Sequence, residues 1–461
     1  LPLSKKERVA VVGAGPAGMI AAIAAAKAGA AVTLIEANEK AGKKLFITGK
    51  GRCNLTNACD TQEFFSHVLR NPKFLYSSIY DFDASAVMDM IEEAGCPLKT
   101  ERGDRVFPVS DHSADIIAAL ERIIRQCGIK FLKNTKVLGL VREAYSSDDE
   151  KKKYRYIIKG VFLENKETLE ADAVIVATGG VSYPTTGSDG NFFRHLTSLG
   201  HTIVSLKPGL VPLVVKEESC MRMQGLALKN VSVSLKYGKK LIGSGFGELL
   251  FTHFGVSGPL ILAVSSDYSR LCGGSSPMLM DTYEIRKDKT SQLGKGNDFG
   301  HSSKAYIHGE EADLYIDLKP AVSEEELDER LIREFSQGQN KYLKNILAGL
   351  VPGQMKDVFP DICGIQANKP VNSITREERR EIVKCLKNLH FTIVGTRDFN
   401  EAIITVGGIN VKEVNPSTME SKLVKNLYIA GEMLDTDSVT GGYNLQTAWS
   451  TGHLAGVSAA E

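Results

Sequence analysis

Val9-Ala10-Val11-Val12-Gly13-Ala14-Gly15-Pro16-Ala17-Gly18 is the stretch that decides the fold. Four apolar residues rich in valine make a short buried strand, and the glycines that follow have the spacing G-x-G-x-x-G. Pro16 sits where a helix tolerates a missing N–H, alanine-rich residues run on to Lys27, and Gly29 is placed to end the helix. Val32 to Ile35 then reads as a second strand with Glu36 at its carboxyl end. In such a unit Gly13 permits the tight turn, Gly15 lets a pyrophosphate approach the backbone, and Gly18 lets helix and strand pack closely. The helix N-terminus offers N–H groups and positive potential to phosphate. Glu36, about 20 residues on, is placed to accept hydrogen bonds from an adenosine ribose and to repel a ribose phosphate. The spacing therefore predicts a dinucleotide site of the FAD or NAD kind and disfavours NADP.

The rest of the composition narrows the class. At 461 residues the chain has room for two or three domains and a large buried cofactor. Lys plus Arg is 56 against 55 for Asp plus Glu, a formal charge of +1. That balance argues against nucleic acid as the main ligand, since phosphate backbones are bound by clustered cations. The eight cysteines form no C-x-x-C pair, which removes simple zinc and thioredoxin readings and fits a reducing cytoplasm. Leu1 to Arg8 has no signal-peptide character. Val9 to Ile35 is interrupted by four glycines, Pro16 and Lys27, so no membrane segment is expected.

Outward from the first unit, helices are expected at Ala84 to Ala94 and at Ala114 to Cys127, the latter capped by Asp111 or Ser113 and stopped by Gly128. Val137 to Leu140 and Tyr154 to Phe162 read as a strand pair joined by a solvated polar tip, 146–153. Ala173 to Ala177 is another buried strand. Beyond about residue 200, Leu213 to Val215, Val231 to Leu235 and Lys240 to Ile242 suggest a β-rich unit. Residues 281–310 read as a long exposed insertion. Ser323 with Glu326, and Thr375 with Glu378, have capping-box spacing and predict a helical section over 321–390. From Phe391 short strands return, ending in Leu427-Tyr428-Ile429-Ala430-Gly431-Glu432 and a last helix from about Asn444.

FAD and NAD share the first half-site, so the choice between them comes from elsewhere. Gly49-Lys50-Gly51-Arg52-Cys53-Asn54-Leu55-Thr56-Asn57 is a glycine- and cation-rich segment suited to lie along an extended cofactor, with Arg52 or Lys44 near phosphate; a basic surface loop is the plain alternative. Val176-Ala177-Thr178-Gly179-Gly180 brings glycines to the strand edge where open parallel sheets bind ligands. A third strand end, Ala430-Gly431-Glu432, is followed by Gly441-Gly442-Tyr443-Asn444-Leu445 at a helix start. Glu432 suits the ribityl hydroxyls of FAD, and that helix N-terminus suits the pyrimidine edge of a flavin. Three separated glycine-rich strand ends imply one long ligand, and FAD has that length.

The combination of Gly13 to Gly18, Gly49 to Asn57, Arg105-Val-Phe-Pro108, Ala177-Thr-Gly-Gly180, Phe251-Thr-His-Phe-Gly-Val-Ser-Gly-Pro259, Gly431-Glu-Met-Leu-Asp435 and Gly441-Gly-Tyr-Asn-Leu-Gln446 resembles the BaiN/YhiN-like flavoprotein family, related to aminoacetone oxidase. The resemblance implies an α/β architecture: a Rossmann-like, glutathione-reductase-like FAD-binding domain interrupted by a β-barrel-like domain and a small helical domain. The expected boundaries are 1–200 and 391–461 for the FAD domain, 201–320 for the β-rich substrate domain and 321–390 for the helical one. Residues expected at the cofactor are Gly13, Ala14, Gly15, Pro16, Ala17, Gly18, Glu36, Ala37, Lys44, Gly51, Arg52, Cys53, Asn54, Val137, Ala177, Thr178, Gly179, Gly431, Glu432, Gly442, Tyr443, Asn444 and Leu445. The implied activity is FAD-dependent two-electron transfer through flavin N5 to or from a small organic substrate. No second G-x-G-x-x-G has strand and helix context, and Gly243-Ser-Gly245-Phe-Gly247 lies between expected strands. NAD(P)H, where it acts, is thus a transient co-substrate. Cys53 is the cysteine expected nearest the flavin, and His253 and Tyr443 are candidate proton donors, each with a structural alternative. Two rival classes share the fold: a flavin-dependent tRNA-modifying enzyme, which wants a basic stripe, and a non-catalytic FAD-binding sensor.

Overall fold

The computed structural model describes residues 7–145, 154–271 and 306–461. The expected polar tip at 146–153 and most of the expected insertion lie outside these residues. Residues 306–310 begin the strand Tyr306–Asp317, so the insertion read from charge alone ends earlier than expected. The chain divides into two compact units, one of residues up to Lys207 with Ile404–Glu461, the other running from Pro208 to Ile403.

The first unit is built on a five-stranded parallel sheet, in the order Leu427–Ile429, Ala173–Val176, Arg8–Val12, Ala31–Ile35, Lys130–Leu132. Valine and isoleucine fill these strands because a parallel sheet is covered on both faces and has no polar side. Helix Pro16–Lys27 is buried continuously from Ala17 to Ala25, which its alanine-rich sequence permits. It packs against the C-terminal helix Tyr443–Ala460, where a Cβ on Gly452 would come within 2.3 Å of the Ala17 carbonyl oxygen and one on Gly456 equally near that of Ala21. Small residues on both helices thus set a close axis separation, as backbone contact requires. Strands Val137–Ala144 and Tyr156–Leu163 form the expected antiparallel pair. The helix expected at 114–127 runs Ser113–Gln126 with no side-chain cap. Ser113 Oγ instead donates to the Phe46 carbonyl, and Asp111 is engaged by Arg52 and Lys99; tertiary partners outcompete the cap.

A buried polar lock ties residues 411–424 to the rest of this unit. His201, almost fully buried, has Nδ1 3.3 Å from Glu413 Oε2 and Nε2 2.9 Å from Ser421 Oγ. A carboxylate only accepts, so Nδ1 carries the proton and Nε2 accepts from the serine. Ser421 Oγ in turn accepts from the N–H groups of Leu423 and Val424. Burial lowers the pKa of His201 and outweighs the opposing pull of Glu413. A pKa lower in the folded than in the unfolded chain means the neutral ring contributes stability above the unfolded value, about 6.5, and loses it as pH falls through the folded one. Urea midpoints measured at pH 7.5 and 5.5 are expected to fall more steeply on acidification for the wild type than for His201→Gln. Equal slopes would remove the lock from the account.

The second unit contains a closed antiparallel barrel of six strands, ordered Leu213–Val215, Gly255–Ser257, Lys240–Phe251, Ala227–Tyr237, Tyr306–Asp317 and Leu389–Arg397. Closure removes the exposed edges of an open sheet. Leu389–Arg397 is the strand that completes the ring, so the return to the first unit expected at residue 391 falls at Ile404. Gly243, Gly245 and Gly247 lie within one strand, a correction to their expected place between strands. They leave a groove for helix Pro259–Leu271, whose Leu260 side chain would meet a Cβ on Gly245 at 2.8 Å. Both capping boxes form, at the starts of helices Glu324–Gln337 and Arg376–Lys387. Arg379 bridges these helices through Asp328. Their apolar faces share one core with the barrel, so residues 321–390 form no separate compact body.

Candidate functional site

Four parallel strands end on the same edge of the sheet, and each hands the chain to a turn the sequence analysis singled out. Gly13 follows the first strand with φ 99° and donates its N–H to the Ile35 carbonyl at 2.8 Å. A Cβ on Gly18 would lie 1.8 Å from the Gly13 carbonyl oxygen, whereas one on Gly15 would meet nothing within 4 Å. Gly18 is therefore needed for packing, and Gly15 borders open space. The helix beginning at Pro16 has no side-chain cap and no acidic residue in its first turn, which leaves its positive end uncompensated.

Glu36 closes the next strand. Its Oε2 accepts from the Ala14 N–H at 2.8 Å, and its Oε1 accepts from the Asn38 N–H at 2.9 Å and from Asn38 Nδ2 at 2.7 Å. Asn38, which sequence reasoning missed, thus orients the carboxylate toward the glycine turn. Ala37 is exposed. The Thr135 N–H donates to the Glu36 carbonyl, which brings the segment entering Val137 alongside; Val137 itself is buried at the start of its strand.

The segment 49–57 winds tightly, with Gly49, Lys50, Gly51 and Cys53 all at positive φ. Its Arg52 has partners within the protein. The Arg52 guanidinium lies 4.1 Å over the Phe107 ring and pairs with Glu101 and Asp111, and these two carboxylates raise its pKa. Cys53 is fully buried and burial pushes its thiol up to about 12, a neutral and unreactive state. Asn54 keeps a buried Oδ1 that has no hydrogen-bond partner among the described residues. The far end of the segment rests on the C-terminal helix, where Thr56 Oγ1 donates to Gln446 Oε1 at 2.6 Å and Trp449 Nε1 donates to the Leu55 carbonyl.

Ala177, Thr178 and Gly179 leave strand Ala173–Val176 beside Gly13 and beside Gly431, which follows Leu427–Ile429. Thr178 Oγ1 lies 3.2 Å from Met433 Sδ. Glu432 is the centre of a cluster. Its carboxylate accepts from Lys44 Nζ at 2.9 and 2.7 Å, from Ser182 Oγ at 3.2 Å and from the Thr405 N–H at 2.8 Å. Lys44 is thereby held by a counter-charge and by Ser182. Ser182 and Thr405 were also missed; the run Ile404-Thr405-Val406-Gly407-Gly408-Ile409 carried the signal, an apolar strand ending in paired glycines.

At the start of the last helix, Gly442 has φ 105°. Tyr443 stacks on His67 with centroids 4.3 Å apart, and burial holds its hydroxyl well above the usual phenol range. This makes it a poor acid at neutral pH. The Asn444 side chain clasps the loop before it, accepting from the Ser438 N–H and donating to the Ser438 and Val439 carbonyls. Leu445 is half-buried against the core of the unit. His253, the other proton-donor candidate, is exposed in the second unit after strand Lys240–Phe251, edge-on to Phe254. Among the described residues no cluster of His, Cys, Asp and Glu suits a metal ion, and no helix is long and apolar enough to cross a membrane.

Comparison with known proteins extends these observations. Residues 7–458 match the model of the HI0933-like protein Rossmann domain. The 3-dehydro-bile acid delta(4,6)-reductase of Clostridium scindens is 28% identical over 457 residues, covering 98% of this chain and 99% of that protein. The ribosomal RNA dihydrouridine synthase of Haemophilus influenzae is 26% identical over 450 residues, 97% of each chain. Its namesake from Escherichia coli is 25% identical over 446 residues, 96% of this chain and 95% of that one. The match runs from the first strand into the C-terminal helix and bears out the resemblance to BaiN/YhiN-like flavoproteins: this chain belongs to the HI0933-like Rossmann family.

Proposed function

We propose that this protein is an FAD-dependent oxidoreductase that reduces a carbon–carbon double bond conjugated to a carbonyl in a small organic substrate. The observation that carries the reading is the meeting of four strand ends on one sheet edge, with an uncapped helix N-terminus and open space at Gly15. The buried, unpartnered Asn54 Oδ1 fits the same group, since an unsatisfied acceptor wants a donor. When bound, FAD supplies two-electron chemistry at its N5. The chain's own residues hold and orient it. The amides that open helix Pro16–Lys27 offset phosphate charge, Glu36 takes the ribose and Glu432 the ribityl hydroxyls. The start of the C-terminal helix would offer positive potential to the bound cofactor. NAD(P)H is the transient donor.

The substrate class rests on the names of the relatives. A delta(4,6)-reductase of a 3-dehydro-bile acid and a synthase of dihydrouridine both saturate a double bond in conjugation with a carbonyl. A second reading follows from the two RNA-modifying relatives: the same reduction performed on a uracil ring in structured RNA. The balanced net charge of +1 favours the small molecule, since RNA binding rests on clustered cations. One anaerobic panel separates them: flavin reduced with NAD(P)H is offered a steroid dienone or ribosomal RNA, and its visible band is followed. Reoxidation by the dienone alone supports the first reading and by RNA alone the second, while a colourless protein unable to take up FAD overturns both. Glu36→Ala is expected to lower the flavin retained on purification about tenfold or more, by loss of charged hydrogen bonds. Unchanged flavin content would move the ribose elsewhere.

A further inference from the structure

The stretch 181–188, between strand Ala173–Val176 and helix Asn191–Ser198, starts beside Glu432 and ends beside Glu36. At its start the Val181 and Ser182 N–H groups donate to Thr405 Oγ1 at 2.8 and 3.2 Å, and Ser182 Oγ is shared by Lys44 Nζ and Glu432 Oε1. At its far end Asn38 Nδ2 donates to the Thr186 carbonyl at 3.2 Å as well as to Glu36 Oε1 at 2.7 Å. A Cβ on Gly187 would lie 2.6 Å from that Nδ2 and 4.0 Å from Glu36 Oε1, and one on Gly179 would lie 2.8 Å from Ser188 Oγ. Ser182 and Ser188 are buried, while Thr185 and Gly187 are exposed. This is a compact loop whose ends are fixed close together and whose tip reaches solvent. We propose that 181–188 is a strap that retains the bound cofactor, and that Asn38 is the positioning residue that keeps it closed. The inference rests on the reading that Glu36 takes the ribose and Glu432 the ribityl hydroxyls.

A carboxamide has two N–H donors and one carbonyl acceptor, and Asn38 commits all of them. Its Oδ1 accepts from Lys43 Nζ at 3.0 Å, which fixes the sense of the amide and turns both Nδ2 hydrogens toward Glu36 and Thr186. One group therefore orients the ribose carboxylate and pins the tip of the strap. A ribose hydroxyl donating to Glu36 steadies the same network, so occupancy of the ribose site and closure of the strap support each other. The strap's backbone is not relaxed: Tyr183 sits at φ 51°, a region that bulky residues rarely enter. Such a conformation persists where its surroundings over-determine it. Here the Thr186 and Gly187 N–H groups donate to the Tyr183 and Pro184 carbonyls, with Thr405 fixing the start and Asn38 the tip. Cutting the tie at the tip lets the strap open while the glycine turn that faces phosphate stays as it is. The effect belongs to dissociation of the cofactor, with its association left nearly unchanged.

The test uses the full-length protein and two readouts. In the apoprotein, hydrogen exchange followed by mass spectrometry should run about fivefold faster over 181–188 in Asn38→Ala than in the wild type, as loss of one hydrogen bond implies, with strand Ala173–Val176 unchanged. In the wild type, which needs no variant to fold, adding FAD should slow exchange over the same stretch. FAD release is then followed by recovery of flavin fluorescence on dilution. Asn38→Ala should release FAD about fivefold faster, and so should Gly187→Ala, whose Cβ displaces Nδ2 without removing any side chain. Association rates of both should stay within about twofold of the wild type. A wild type that takes up no FAD overturns the cofactor reading and the strap's role with it. FAD that binds and leaves both variants at the wild-type rate, or exchange over 181–188 that ignores Asn38, overturns the strap alone. A fall in association as large as the rise in dissociation would make Asn38 part of ribose recognition and would equally remove the strap.

Discussion

Gly18→Val is expected to yield no folded first unit, with a loss above about 3 kcal/mol, while Gly15→Ala is expected to leave folding nearly intact and empty the cofactor site. The two glycines lie three positions apart in one motif, yet their surroundings are opposite. A Cβ at Gly18 would sit 1.8 Å from the Gly13 carbonyl oxygen, deep inside any permitted contact, so the helix must lift away from the first strand. That helix is the most buried in the unit and carries the C-terminal helix against it. A Cβ at Gly15 would meet no atom within 4 Å, and Gly15 has an ordinary extended backbone. On the proposed reading, the added methyl stands where a phosphate would draw close to the helix N-terminus. Thermal midpoints of the two variants, with the FAD content of each, read the difference directly. A Gly15→Ala protein that keeps its flavin would place the phosphates away from this turn.

What the sequence made legible was whatever depends on neighbours along the chain. The strand, glycine turn and helix of residues 8–27 could be read because their spacing encodes local geometry, and Ser323 and Thr375 formed their caps because the partner of each lies three residues on. The misreadings share one cause, competition from distant partners. Arg52 was free in sequence but meets Glu101 and Asp111 in space, and Asp111 is thereby lost as a helix cap. Leu389–Arg397 reads like any other short strand, and only its pairing with both Leu213–Val215 and Tyr306–Asp317 makes it the closing piece of a barrel. Among site residues, Glu36 and Glu432 were visible as acids at strand ends. Asn38, Ser182 and Thr405, which hold those acids, were not, because a hydrogen-bonding side chain gives no sign in sequence of which carboxylate it will meet.

The Lys44–Glu432 pair allows the second large effect to be anticipated. Both side chains are about four-fifths removed from solvent, and the ammonium reaches both carboxylate oxygens. Removing one partner from such a pair leaves the other's charge, or its hydrogen-bonding groups, inside without compensation. Glu432→Ala strands the Lys44 ammonium and takes the acceptor from the Thr405 N–H, for an expected loss of about 2–4 kcal/mol. Lys44→Met leaves a carboxylate still served by Ser182 and Thr405, so it should cost less, about 1–2 kcal/mol. The double variant should be milder than the sum of the two, with a coupling of about 1–2 kcal/mol in urea unfolding of the apoprotein. Flavin retention should divide the variants differently. It should collapse wherever Glu432 is absent, because no other residue of the cluster supplies a carboxylate at that strand end, and survive in part in Lys44→Met. Strict additivity in unfolding would mean the pair contributes nothing to the fold. Equal flavin content in Lys44→Met and Glu432→Ala would mean that the carboxylate is not what the cofactor touches.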